Sequence, residues 1–254
     1  QGDWRMKYNK EHHGDVYPTH GIGPVAMVLG LHRGDKMDYL VSMDTDSFHG
    51  KDLSEKRYGD REYANGDHTA TYIRTHNGRT IEIQHDTYNP RPYSRMFQVT
   101  GTKGFANKYP VQGFALGEVK LEGQPDFENL DAEQFVSDEL RLKLMAEYHF
   151  DSIAPDQDYI NAMCAKDIYF LDKDVLALAK KVGGHGGMDF IMDYRLVYCL
   201  HNGLPLDQDV YDAAEWSSLV ELSEVSILHG SAPVDMPDFT RGEWNIHKGV
   251  HFAL

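Results

Sequence analysis

The spacing of hydrophobic positions changes midway along the chain. In the first half they alternate with polar ones. MDYLVSMDT (37–45) reads as a strand. HTATYIRTH and RTIEIQHDT are two more alternating runs joined by Asn77-Gly78, which predicts a hairpin with a type I′ turn. SRMFQVTGT and GFANKYP make a second pair across Thr102-Lys103-Gly104. Around these strands, residues 1–17 are polar and irregular. HGIGPVAMVLGLHRGD predicts a short helix with Thr19 as N-cap and Gly34 as its stop, and 46–66 reads as a long charged loop.

In the second half the period becomes helical. DAEQFVSDELRLKLMAEYHF (131–150) carries Phe135, Leu140, Leu142, Leu144 and Met145 at roughly helical spacing, and LDKDVLALAKKVGG (171–184) is a second helix stopped by its glycines. MDFIMDYRLVYCLHNG (188–203) places Phe190, Ile191, Tyr194, Val197 and Tyr198 on one stripe and ends at Gly203 before Pro205. A longer helix runs from Asp209 to about His229. Strands first and helices afterwards predict an α+β fold, a mainly antiparallel sheet with helices on one face, in a single domain over 1–254.

Composition removes several function classes. With 41% hydrophobic and 26% charged residues, the 254-residue chain is neither collagen-like nor low-complexity. Forty acidic against 25 basic residues give a net charge of −15, which repels a phosphate backbone, so nucleic acid is not expected as a partner. No apolar run approaches the ~20 residues of a spanning helix, so a soluble protein is expected. Cys164 and Cys199 form no CxxC pair; Cys199 lies in an apolar helical pattern, where a buried free thiol is expected, and neither cysteine reveals the compartment. The start at Gln1 has no signal-like pattern and reads as part of a longer protein.

Four segments could carry chemistry. Gly21-Ile-Gly23-Pro-Val-Ala26 formally matches a dinucleotide fingerprint, but the polar, proline-containing GDVYPTH before it is no buried strand. A helix start packed closely on a neighbour explains these glycines better. Tyr17-Pro18-Thr19-His20 places a phenol and an imidazole three residues apart in a starting helical turn, where together they can shuttle protons; a capping or solvated histidine is the structural alternative. Gly183-Gly184-His185-Gly186-Gly187 opens a helix and reads either as a loop admitting close ligand approach or as a tight interhelical turn. Arg91-Pro92-Tyr93-Ser94-Arg95 could offer Arg or Tyr to a sugar or anion, or be a plain surface loop. No metal motif is present, and nothing singles out the opposed carboxylates of an ordinary glycosidase.

Taken together, WRMKYNKEHHGDVYPTHGIGPVA, RGDKMDYLVSM, RPYSR…TGTKG, GGHGGMDF and NGLPLDQDVYDAAEWSS resemble glycoside hydrolase family 109 from Trp4 to about Ser226. That family holds NAD-dependent α-N-acetylgalactosaminidases of the Gfo/Idh/MocA oxidoreductase superfamily. The resemblance covers the C-terminal half of the family's architecture, without its N-terminal Rossmann domain. It implies a mechanism in which NAD⁺ takes hydride from C3 of the sugar. A base then removes the acidified C2 proton, the glycosidic oxygen leaves, water adds, and the hydride returns with retention of configuration. It assigns His20 the leading proton-transfer role and Tyr17 the supporting one. Arg5, Pro18, Thr19 and Tyr93 would contact the sugar, with His185 near the pocket. NAD would be held mainly by the other domain, so this chain alone is expected to turn over little. A sheet face often makes the subunit contact in the superfamily, which allows a homodimer. Two alternatives stay open: a sugar dehydrogenase of the same superfamily, and a non-catalytic sugar-binding or oligomerisation module.

Overall fold

The alternating runs of the first half do become a sheet. The computed structural model describes residues 3–86, 88–91, 94–102, 104–107, 113–116 and 173–246. The chain divides into two compact units, one from residues 1–92 with 208–250, the other from 93–207 with 251–254. The expected helix over 131–150 and Cys164 lie outside the described residues.

In the first unit, helices α1 (Asp3–Glu11) and α2 (Thr19–Leu29) precede strand β1 (Met37–Asp44). Helix α3 (His49–Tyr58) and the hairpin of β2 (His68–Thr75) and β3 (Thr80–Asp86) follow. The four-stranded antiparallel sheet has the order β3-β2-β1-β7, with β7 (Val234–Asp235) the short edge that returns at the end of the unit. Side chains alternate across it as a period of two requires. Leu40, Ile73, Ile81 and Ile83 point into a core completed by Ile22 and Ala26 of α2 and by Trp216 and Leu219 of the long helix described next. Tyr39, Met43 and Tyr72 lie exposed on the strands.

The long helix, Val210–Leu228, packs on β1 and β7. Its start is well determined by sequence. Asp209 accepts from the amides of Tyr211 and Asp212 while Asp212 accepts from the Asp209 amide, a reciprocal capping box. Towards its C-terminal half the packed face becomes small and polar. Ser223 and Ser226 are fully buried, and the Ser42 amide in β1 donates to Ser226 Oγ at 2.9 Å. Hydroxyls thus take over from aliphatic groups at that end of the sheet.

Several features differ from expectation, beginning with helix α1 over Asp3–Glu11, where the sequence read as irregular. Helix α2 stops at Gly30 (φ 67), four residues before Gly34, because Gly30 adopts the left-handed cap and its amide returns to Ala26 and Met27. Within 46–66, α3 replaces part of the expected loop. The amides of Phe48, His49 and Gly50 at its start are all held by the carboxylate of Asp67, a cap supplied from far along the chain. Residues 76–79 join β2 to β3, and among them only Gly78 has positive φ (86°), so the turn is not type I′. Asn77 is tied instead to Asp35 Oδ1 through its amide and to the Gly34 carbonyl through its side chain.

The second unit contributes strands β4 (Gln98–Thr100), β5 (Gly104–Asn107) and β6 (Gly113–Leu116), paired antiparallel in that order. It also contributes helices α4 (Lys173–Val182) and α5 (Met188–Asn202). The long helix 210–228 is accordingly α6. Cys199 in α5 is buried and free, as its pattern suggested. Every strand pair among the described residues is antiparallel, so the fold is α+β. No helix among them is long and apolar enough to cross a membrane.

One buried ion pair ties the α2–β1 loop to α6. Arg33 forks onto Asp212 at 2.9 and 2.7 Å, and Asp212 is 1% exposed. Beside it, His32 Nε2 stands 2.9 Å from Glu215 Oε2, close enough for an ion pair but not aligned as a hydrogen bond. Burial opposes a charge on His32. The contact with Glu215 and the charges of Glu215, Asp212 and Asp209 outweigh it and raise the imidazole's pKa. Arg33→Met strands a buried carboxylate and is expected to destabilise the protein by about 3 kcal/mol in denaturant unfolding. A change below about 1 kcal/mol, the value of a surface pair, would contradict this placement.

Candidate functional site

Between α1 and α2 the chain must reverse, and residues 12–18 do so against the polar end of α6. Gly14 takes φ 89°, and a Cβ there would lie 2.5 Å from Ser223 Oγ and 2.8 Å from the Glu224 amide. Only glycine fits such an approach. Its carbonyl accepts from Asn65 Nδ2 at 3.0 Å and Thr69 Oγ1 at 3.3 Å, while the Asp15 amide donates to Ser223 Oγ at 2.9 Å. His12 and the His13 amide share the carboxylate of Glu224, and His13 Nδ1 reaches Asp44 Oδ2 at 2.9 Å. The reversal is thus pinned to α6, β1 and β2 at once.

What this segment presents is a stack. The rings of Tyr17 and His20 lie face to face, centroids 4.9 Å apart and planes 26° from parallel. Arg5, one helix earlier, places its guanidinium 5.0 Å from the Tyr17 ring centroid and 5.2 Å from that of Trp4. Trp4, Arg5, Tyr17 and His20 are all exposed, whereas Pro18 is buried and Thr19 half-buried. Pro18 rather than Thr19 occupies the cap position of α2. With φ fixed near −76° it is already helical, and its carbonyl accepts from Gly21 and Ile22. Pro24 has no amide to give the His20 carbonyl, so the first turn of α2 lacks one of its helical bonds.

Asp15 sits beneath this surface. It is 1% exposed, its Oδ1 accepts from the Tyr17 amide at 3.3 Å, and Oδ2 has no hydrogen-bond partner. Burial pushes its carboxyl up to about 6, and the Tyr17 amide pulls it down only in part. On the neighbouring strand His85, opposite Thr69, is half-buried; burial presses its imidazole down, Asp86 raises it and His68 lowers it further. Sequence reasoning missed Trp4 and Asp15. The one readable signal was Gly14-Asp15, separated by Val16 from Tyr17-Pro18, a turn-forming pair whose purpose depends on α6.

The other candidates fall elsewhere. Gly21 to Ala26 is the interior of α2, with Gly21 against Ile83 and Gly23 against the Trp216 ring, so close helix packing explains the glycines and no nucleotide cradle forms there. His185 lies in the second unit, in the turn between α4 and α5. Gly183, Gly184, Gly186 and Gly187 all have positive φ there, and a Cβ on Gly187 would meet the Ala179 backbone at 2.9 Å. Its exposed ring is paired with Asp189 at 2.9 Å. Tyr93 lies outside the described residues. Among the described residues no group of three His, Cys, Asp or Glu could hold a metal ion.

A phenol, an imidazole and a guanidinium gathered on an exposed aromatic surface suit proton transfer on a neutral polar ligand. The family described as glycosyl hydrolase 109, C-terminal domain, matches residues 1–152 and 163–246. The chain belongs to this family. It is 50% identical over 257 residues to glycosyl hydrolase family 109 protein 1 of Phocaeicola vulgatus, covering 99% of this chain and 50% of that protein. It is 49% identical to the family 109 protein 1 of Bacteroides thetaiotaomicron and 46% identical to the family 109 protein of Porphyromonas gingivalis. Each match covers 99% of this chain and 51% of the relative. The family 109 domain described here therefore spans about half the length of the curated relatives it matches.

A raised carboxyl has a defined sign in stability. Between the ordinary 3.8 and about 6 the unfolded chain releases the Asp15 proton first, so the folded state loses stability as pH rises through that window. The shift corresponds to roughly 2–3 kcal/mol. The stability of Asp15→Asn relative to wild type is expected to grow by that amount between pH 4 and pH 7 in urea unfolding. A difference that stays constant with pH would contradict the buried, poorly partnered carboxyl.

Proposed function

We propose that this domain forms the sugar-facing half of a retaining, NAD-dependent glycosidase acting on terminal α-linked N-acetylgalactosamine. Family membership supports the glycosidase class. The observation that carries the finer reading is the exposed Tyr17–His20 stack with Arg5 over it. The described residues offer the nucleotide no cradle, so the cofactor reading rests on the family resemblance alone. NAD, when bound, supplies reversible removal of hydride from a ring carbon. The chain's own residues have the remaining tasks. His20 Nδ1 or Nε2 takes or returns a proton beside the ring, and Tyr17 Oη donates to or accepts from the adjacent oxygen. Arg5, on the Tyr17 ring, fixes the phenol's direction and has donors to spare for sugar hydroxyls or the acetamide carbonyl. Trp4 offers an apolar face to the ring's C–H groups. Two flanking carboxylates are not required, in keeping with the hydroxyl, imidazole and guanidinium found here.

The roles of Tyr93 and His185 toward the sugar rest on the family resemblance alone, and the exposed sheet residues Tyr39, Met43 and Tyr72 suit a homodimer contact. A sugar dehydrogenase would release NADH in step with product, whereas the elimination mechanism regenerates the cofactor. In the full gene product, cleavage of p-nitrophenyl α-N-acetylgalactosaminide is expected without net NADH. His20→Ala and Tyr17→Phe are each expected to lower kcat on the order of 10²–10⁴-fold. Equal rates for wild type and His20→Ala would remove this couple from the mechanism, and stoichiometric NADH release would favour the dehydrogenase.

A further inference from the structure

We propose that Asp15 is the positioning residue of the Tyr17–His20 couple: its buried carboxyl grips the Tyr17 amide and so sets the turn that stacks the phenol on the imidazole. The inference rests on reading that couple as the working site and adds a residue on which the stack's geometry depends. Asp15 is anchored before it grips anything. Its own amide is held by Ser223 Oγ, and the Gly14 carbonyl preceding it by Asn65 and Thr69. From this fixed base Oδ1 reaches two residues forward to the Tyr17 amide, the side-chain-to-backbone turn at which aspartate is effective. Pro18 follows at once with φ −76°, which leaves the Tyr17 backbone little freedom once its amide is held. His20, one helical turn on, then meets the Tyr17 ring.

The cost to the fold points the same way. A carboxyl that is 1% exposed, with Oδ2 unpartnered, destabilises the folded state whenever it ionises. The charged groups around it are committed elsewhere. Glu224 of α6 carries His12 and the His13 amide, and Asp44 of β1 carries His13. Ser223, Asn65 and Thr69 are neutral. None of them supplies Asp15 with a cation, and the Tyr17 amide is the donor that reaches it. Destabilising polar groups held by a rigid frame are a feature of working sites, where geometry is kept at the expense of stability.

The test separates acceptor from charge. In aromatic 1H–13C spectra of the protein, stacking on Tyr17 displaces the His20 ring-proton signals upfield. Asp15→Ala removes the acceptor and is expected to abolish that displacement, whereas Asp15→Asn keeps an oxygen acceptor in the same place and is expected to retain it. A displacement unchanged in Asp15→Ala, or lost equally in both variants, overturns the proposal. Should Asp15→Ala not fold, the 15N shift of the Tyr17 amide decides. Wild type is expected to show an inflection near the Asp15 value of about 6, and Asp15→Asn to lack it; identical profiles overturn the proposal. In the full gene product kcat is expected to fall at least tenfold in Asp15→Ala and to recover in Asp15→Asn. The ring signal reports positioning whether or not a sugar binds, so it survives failure of the glycosidase reading and can fail while His20→Ala still abolishes activity.

Discussion

The close approach of Gly14 to helix α6 governs the rest of this site. A chain leaving α1 must turn within a few residues to begin α2, and it can do so only by entering space that a side chain would fill. The entry is compensated by hydrogen bonds to the backbone of the turn: Ser223 to the Asp15 amide, Asn65 and Thr69 to the Gly14 carbonyl, Glu224 to the His13 amide. Those partners come from three different elements. The serine-lined end of α6, the start of β2 and the loop before it therefore act together to place Tyr17.

This division of labour runs through the first unit. Its hairpin end is aliphatic, with Leu40, Ile73 and Ile81 packed under α2 and α6, and it supplies the hydrophobic stabilisation. The opposite end exchanges those groups for Ser42, Thr69, Thr71, Ser223 and Ser226, which give up transfer energy in return for directional bonds. The candidate site stands on the polar end. Rigidity there comes from hydrogen bonding rather than from packing, which suits a surface whose aromatic groups must stay exposed and yet hold one geometry.

How much of this was legible depended on how far each determinant lay along the chain. The hairpin strands, α5 with its Gly203 stop and the α6 helix from about Asp209 were readable because alternation, apolar spacing and stop residues are local. Helix α3 was not, because Asp67 caps it from outside the segment. The hairpin turn was misread because Asn77 answers to Asp35 and Gly34. In the site, Tyr17 and His20 could be paired from their spacing and Arg5 placed beside them by resemblance. Asp15 could not, since burial of a carboxyl is set by elements that lie dozens of residues away. The glycines of α2 show the reverse case: a fingerprint by spacing, explained in three dimensions by Ile83 and the Trp216 ring.

The central claim is that the rings of Tyr17 and His20 face a carbohydrate. Titrating the isotopically labelled protein with N-acetylgalactosamine, while following the ring signals of these two residues, tests it most directly. Saturable shifts of both rings with a shared dissociation constant are expected. Saturable shifts elsewhere on the protein with both rings unmoved would contradict the account.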